Sequence, residues 1–187
     1  LPMPLTALQI IWVNFFTGSL PALALAFDED MDKSKDKKST SNKLIFTREV
    51  KFITFGIGVM SSIFLFFVYY GLVSLGVQIE LAKSLLFICL ASYILVVVYS
   101  FRSLMSPLFS YPVFSNTKLN ISVLAATILL IATVSVPQMR EVFNLVEVPI
   151  VWGWFILGWL LLNVSLIEGA KFFLRKGLFS ISQMANS

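Results

Sequence analysis

Five stretches of this chain, at about 5–27, 52–76, 84–101, 119–137 and 149–170, contain no lysine or arginine, and Glu168, near an end, is the one charge within them. A helix needs roughly 20 predominantly apolar residues to cross about 30 Å of hydrocarbon, and each stretch is close to that length. Backbone groups in lipid must be satisfied within the segment. The expected fold is therefore all-α, a multi-pass integral membrane protein with five transmembrane helices. Composition agrees: 58% of residues are apolar and 13% charged, against roughly 45–50% and about 25% in soluble domains. An odd number of spans puts the termini on opposite sides.

Lysine and arginine in short loops resist translocation and stay cytoplasmic. Lys33, Lys35, Lys37, Lys38, Lys43, Arg48 and Lys51 follow the first stretch, Arg102 and Lys118 the third, and Lys171, Arg175 and Lys176 the last. Seven, two and three make twelve of the 14 basic residues on one side, leaving Lys83 and Arg140 on the other. The N-terminus is expected outside and the C-terminus in the cytoplasm. Residues 28–51 are expected to form a cytoplasmic linker, because Asp28 to Asn42 mixes acids with bases and has too little apolar surface to fold alone. Contact of its lysines with anionic lipid is the functional alternative.

The absence of histidine rules out imidazole catalysis and histidine-ligated metal within these residues. A single cysteine, Cys89, can form neither an intrachain disulfide nor a cysteine-rich metal site and is expected to pack in the core. The basic residues lie between apolar runs rather than along one face with interleaved aromatics, which speaks against nucleic acid as a partner. The first stretch lacks a basic leader and a small-residue cleavage site, so a signal peptide is not expected.

The first stretch departs from a plain apolar helix at its middle. Pro21 has no N–H and its ring crowds the carbonyl of Thr17, so the bond from position 21 back to Thr17 cannot form. A partly unwound helix is expected there, with Gly18 and Ser19 in the loosened turn. Irregular backbone at membrane depth survives where it is buried in protein or lines a polar cavity, and broken helices with exposed carbonyls are one way transporters coordinate cations. Asn14, three residues before Thr17, is expected on the same helix face. Asn14, Thr17 and Gly18 thus mark a candidate cation site. A proline kink, with Asn14 hydrogen-bonded to a neighbouring helix, is the structural alternative.

The stretch LPMPLTALQIIWVNFFTGSLPALALAFDE resembles the sixth membrane helix of cation-transporting P-type ATPases, where L-x-x-x-Q-x-x-W-V-N-x-x-T-D-G-x-P-A-x-A-L recurs. Leu5, Gln9, Trp12, Val13, Asn14, Thr17, Pro21, Ala22, Ala24 and Leu25 match. Ala82-Lys83-Ser84 stands where the family has A-R-T, Arg102-Ser103 resembles its R-S, residues 113–116 (VFSN) resemble its L-F-S-N, and Val136-Pro137 with Phe143 precedes the last span. The resemblance implies that the chain corresponds to helices six to ten of a ten-helix pump, a single C-terminal transmembrane domain over residues 1–187. It also implies a parent that uses ATP and Mg2+, with the remaining membrane helices, the cytoplasmic domains and a transported cation as partners in the lipid bilayer.

Within the chain itself no catalytic residue is expected, since no Asp-Lys-Thr-Gly phosphorylation loop and no nucleotide-binding sequence occurs. Two departures bear on transport. Thr17-Gly18-Ser19 replaces Thr-Asp-Gly, which removes a carboxylate, and Ile94, Val97 and Ser100 occupy eighth-helix positions that are polar in the family. Hard divalent cations favour carboxylate oxygens, so a two-ion site of the calcium-pump kind is not expected. The alternative function is a non-catalytic five-span module that packs against partners without transporting, and a reading frame encoding Asp-Lys-Thr-Gly upstream of Leu1 would distinguish the two. Glu168 is expected to pair with Lys171 or Arg175. Trp152, Trp154 and Trp159 read as an interfacial belt, and Gly56, Gly58, Gly153 and Gly158 as places of close helix approach.

Overall fold

The computed structural model describes residues 2–26, 58–102, 108 and 112–184, and among them every regular element is helical. Helix α1 (Ala7–Trp12) runs through a π-helical turn (Val13–Ser19) into α2 (Leu20–Ala26). Then come α3 (Gly58–Ser74), α4 (Ile79–Phe101), α5 (Thr117–Ser135), the short α6 (Pro137–Val142) and, after a 3-10 turn at Ile150–Trp152, α7 (Gly153–Met184). Four helical segments are long and apolar enough to cross a membrane: Ala7–Ala26, Ile79–Ser100, Thr117–Ser135 and Ile150–Phe172. The second expected span appears as the shorter apolar α3, and residues 52–57, like the expected linker 28–51, lie outside the described residues. The third begins at Ile79 rather than 84, with Glu80 and Lys83 in its first turns, where charged groups still reach the membrane boundary.

Local chemistry sets the ends of these helices. Thr6 caps α1 reciprocally with Gln9: the Gln9 N–H donates to Thr6 Oγ1 and the Thr6 N–H donates to Gln9 Oε1. Asn116 caps α5 by accepting the Leu119 N–H at 2.9 Å. Gly76 ends α3 at φ +81, with Val77 N donating to the Leu72 carbonyl and Gly76 N to that of Val73. Asn144, at φ 50, ends α6 in the same way, with Leu145 N donating to the Arg140 carbonyl and Asn144 N to that of Glu141. Left-handed residues at this position satisfy the last carbonyls of a helix. The second such turn drops Leu145 into the core.

The central helix is α4, which packs against α7, α3, the π turn and α5. Trp12, Val13, Phe87, Ala91, Leu95, Ala126, Leu130 and Leu145 form the largest buried cluster. Trp12 anchors it, with ring centroids 5.3 Å from Phe87 and 6.4 Å from Phe143. Lipid gives helices no hydrophobic reason to associate, so this close packing and the hydrogen bonds between helices hold the bundle. Trp159 departs from the belt expected for it. It is 5% exposed and donates through Nε1 to the Cys89 carbonyl at 3.1 Å, whereas Trp154 is 79% exposed. Cys89 is buried. An added Cβ at Gly58, Gly153 or Gly158 would meet nothing within 4 Å, so none of these is a point of close approach.

Candidate functional site

The π turn occupies the stretch where the sequence predicts an irregular helix, in a different form. Rather than unwinding, the chain widens to i→i+5 bonding over Val13–Ser19 before α2 takes over at Leu20. Pro21, one residue into α2, is buried and cannot donate to the Thr17 carbonyl. Widening the turn leaves residues four apart on neighbouring faces, as in an α-helix, and swings residues three apart away from each other. Val13 and Thr17 accordingly share the buried face, and Thr17 Oγ1 donates to the Val13 carbonyl at 2.7 Å. Asn14 lies on the exposed side, its carbonyl accepting the Ser19 hydroxyl at 3.0 Å. The expected convergence of Asn14 and Thr17 on one face is therefore not formed, because it assumed the period of an α-helix.

Thr17 and Gly18 open onto a cleft of about 210 Å³ between the first helical segment and α4, lined on the far side by Tyr93, Ile94 and Val97. Thr17 and Gly18 of the first span thus meet Ile94 and Val97 of the third in this cleft, whereas Asn14 and Ser100 do not line it. Its walls are almost entirely apolar. Gly18 is half-buried, and a Cβ there would have the Val13 carbonyl oxygen, at 3.9 Å, as its one neighbour within 4 Å. Among the described residues no group of three or more His, Cys, Asp or Glu side chains could hold a metal ion. Ser100 and Asn163 are buried but do not line the cleft, Ser100 lying at the contact with α7 and Asn163 within α7.

Two residues that sequence reasoning left without a role hold this arrangement. Gln9, buried in α1, extends its Nε2 to the Phe143 carbonyl at 2.8 Å, which ties the start of the first span to the turn after α6. Its place in a Thr-x-x-Gln capping box was the available signal. Tyr93 borders the cleft and joins α4 to α3 through a 3.0 Å hydrogen bond between its hydroxyl and Ser61 Oγ. Glu168 meets Lys171 at 2.8 Å, as the i,i+3 spacing predicts.

Residues 2–173 match the family described as cation transporting ATPase, C-terminus. A calcium-transporting ATPase of Bacillus subtilis is 31% identical over 153 residues, which cover 79% of this chain and 17% of that protein. Calcium-transporting ATPase 1 of Bacillus cereus is 27% identical over 172 residues, covering 82% of this chain and 19% of the relative. The chain thus spans less than a fifth of the length of these curated relatives. With apolar helices crossing the membrane several times and a family match over nearly its whole length, the chain belongs to the cation-transporting ATPase C-terminal family, the C-terminal membrane region of P-type cation pumps.

Proposed function

We propose that this chain forms one wall of the ion pathway in an ATP-driven cation pump, with Thr17 a ligand on the cleft side, Asn14 a ligand on the exposed side toward further helices of the pump, and Gly18 at the place of an absent carboxylate. The observation that carries the reading is the π turn of Val13–Ser19, which leaves Thr17 fully buried beside a cleft. π turns inside helices concentrate at functional sites. Asn14 is exposed on a largely apolar segment, and a polar side chain facing hydrocarbon is costly. A further membrane helix of the pump, carrying other ligands, would cover it. A divalent cation needs carboxylate oxygens, so those helices must supply them. The printed names of the relatives make Ca2+ the first cation to test.

In this reading ATP and Mg2+ are used by cytoplasmic parts of the pump, outside these 187 residues, and the chain itself carries no catalytic group. Residues 52–76 complete a set of five spans in a single domain, 1–187. Twelve basic residues hold the 28–51 linker, the connection after the third span and the C-terminus in the cytoplasm, with the N-terminus outside.

Cation-dependent ATPase titrations of the pump test the site. Asn14→Ala should lower apparent cation affinity, because losing a ligating or hydrogen-bonding group costs about 1–3 kcal/mol, roughly one to two decades at about 1.4 kcal/mol per tenfold. Asn163→Ala, in the last span, should leave affinity nearly unchanged. Equal affinities for Asn14→Ala and the parent would reduce the first span to a structural helix and favour the non-transporting module.

A further inference from the structure

Lys171 is 1% exposed, although it lies near the end of an apolar membrane-crossing segment. Its Nζ donates to the Ser100 carbonyl at 2.5 Å and to Glu168 Oε1 at 2.8 Å. The second carboxylate oxygen, Oε2, accepts the backbone N–H of Leu108 at 2.9 Å. One ion pair on α7 therefore touches the last turn of α4 and the connection that leads from α4 to α5. Ser100 sits where the α4 carbonyls concentrate negative charge, and a cation is favoured there. Arg102, also buried, donates to the Pro112 and Val113 carbonyls further along the same connection.

Neither charge is at ease alone. A buried ammonium without a counter-ion, or a carboxylate at a membrane boundary without its donors, costs far more than the intact pair, whereas replacing both by neutral groups is often nearly neutral. Only 17% of the apolar window of the last helix is buried within the chain. Its most extensive seam is with α4, and the ion pair closes that seam at one end.

We propose that Glu168 and Lys171 form an electrostatic latch, in which one carboxylate, shared between the Lys171 ammonium and the Leu108 N–H, fastens Leu108 and the end of α4 to the last helix. The latch closes when the two charges are present together. Its residues do not line the Thr17 cleft, and the latch stands whether or not that cleft carries a cation.

The test uses the pump that contains this chain, in detergent micelles, with Glu168→Gln, Lys171→Met and the double variant, reading hydrogen exchange at the Leu108 amide and the thermal midpoint. Each single variant should speed exchange at Leu108 roughly tenfold or more and lower the midpoint, and the double variant should recover most of both losses. Additive losses in the double variant, or unchanged exchange at Leu108 in both singles, would overturn the latch. If a single variant fails to fold, the double variant decides: its folding upholds the pairing, and its failure refutes it.

Discussion

Thr17 Oγ1 donates to the Val13 carbonyl across 2.7 Å, committing the hydroxyl proton to the helix. What the oxygen can offer the cleft lined by Ile94 and Val97 is lone pairs. A buried acceptor with its proton turned away suits a cation better than an anion or a hydrogen-bond acceptor. The same bond, from a hydroxyl to the carbonyl four residues back, is made by Thr127 and Thr133 in the regular α5, so it is a property of helix geometry that the widened turn preserves.

Gln9 is expected to matter for stability more than for ion affinity. Its side chain accepts from the Thr6 N–H at 2.8 Å and donates to the Phe143 carbonyl at 2.8 Å. Gln9→Leu keeps approximate volume but orphans both partners, each at a cost of about 1–3 kcal/mol when buried. The thermal midpoint in detergent should fall clearly. An unchanged midpoint would mean that the α1–α6 tie contributes nothing.

Trp159 and Trp154 should respond oppositely to the same change. Trp159→Phe removes the Nε1 bond to the Cys89 carbonyl and opens space beside Tyr93 and Phe64, whose ring centroids lie 6.5 and 6.1 Å away. A loss of at least about 1 kcal/mol is expected, from the hydrogen bond alone. Trp154→Phe, on the 79% exposed side chain, should change stability little. Denaturation of the two variants in one detergent makes the comparison directly.

Cysteine accessibility tests the five-span topology. In a Cys89→Ser background, Lys35→Cys should label from the cytoplasmic side and Glu147→Cys from the exterior. Glu147 is the suitable exterior probe because its side chain is 81% exposed, whereas the neighbouring Leu145 is buried in the core. Labelling of both from one side would overturn the span count.

The helices were legible as runs without lysine or arginine because hydrocarbon penalises those charges most at its centre. The same rule blurs at helix ends, so Glu80 and Lys83 concealed the true start of α4 at Ile79. Pro21 announced an irregular turn, but proline chemistry alone does not choose between unwinding and widening. That choice determined whether Asn14 and Thr17 face the same way. The burial of Trp159 is not legible in the sequence, because apolar spans are hydrophobic all round and nothing in the order of residues tells which face meets α4. The Glu168–Lys171 pair was legible from its spacing. Its bonds to Ser100 and Leu108, 71 and 60 residues away, belong to tertiary structure alone.

Gly18→Asp tests whether the cleft lacks a charge or lacks a function. A Cβ at position 18 would meet only the Val13 carbonyl oxygen, at 3.9 Å, which is ordinary contact, so the side chain can be added without displacing the turn. A carboxylate there would stand next to Thr17, in a cleft whose other walls are apolar. Hard divalent cations gain most from such an oxygen. A charge-assisted contact worth about 1.5–3 kcal/mol should raise divalent-cation affinity in the pump by about one to two decades at roughly 1.4 kcal/mol per tenfold. Gly18→Asn has nearly the same shape without the charge and should produce little of this gain. Titration of cation-dependent ATPase activity on the two variants separates charge from bulk. Equal responses to the aspartate and the asparagine would remove position 18 from the ion pathway.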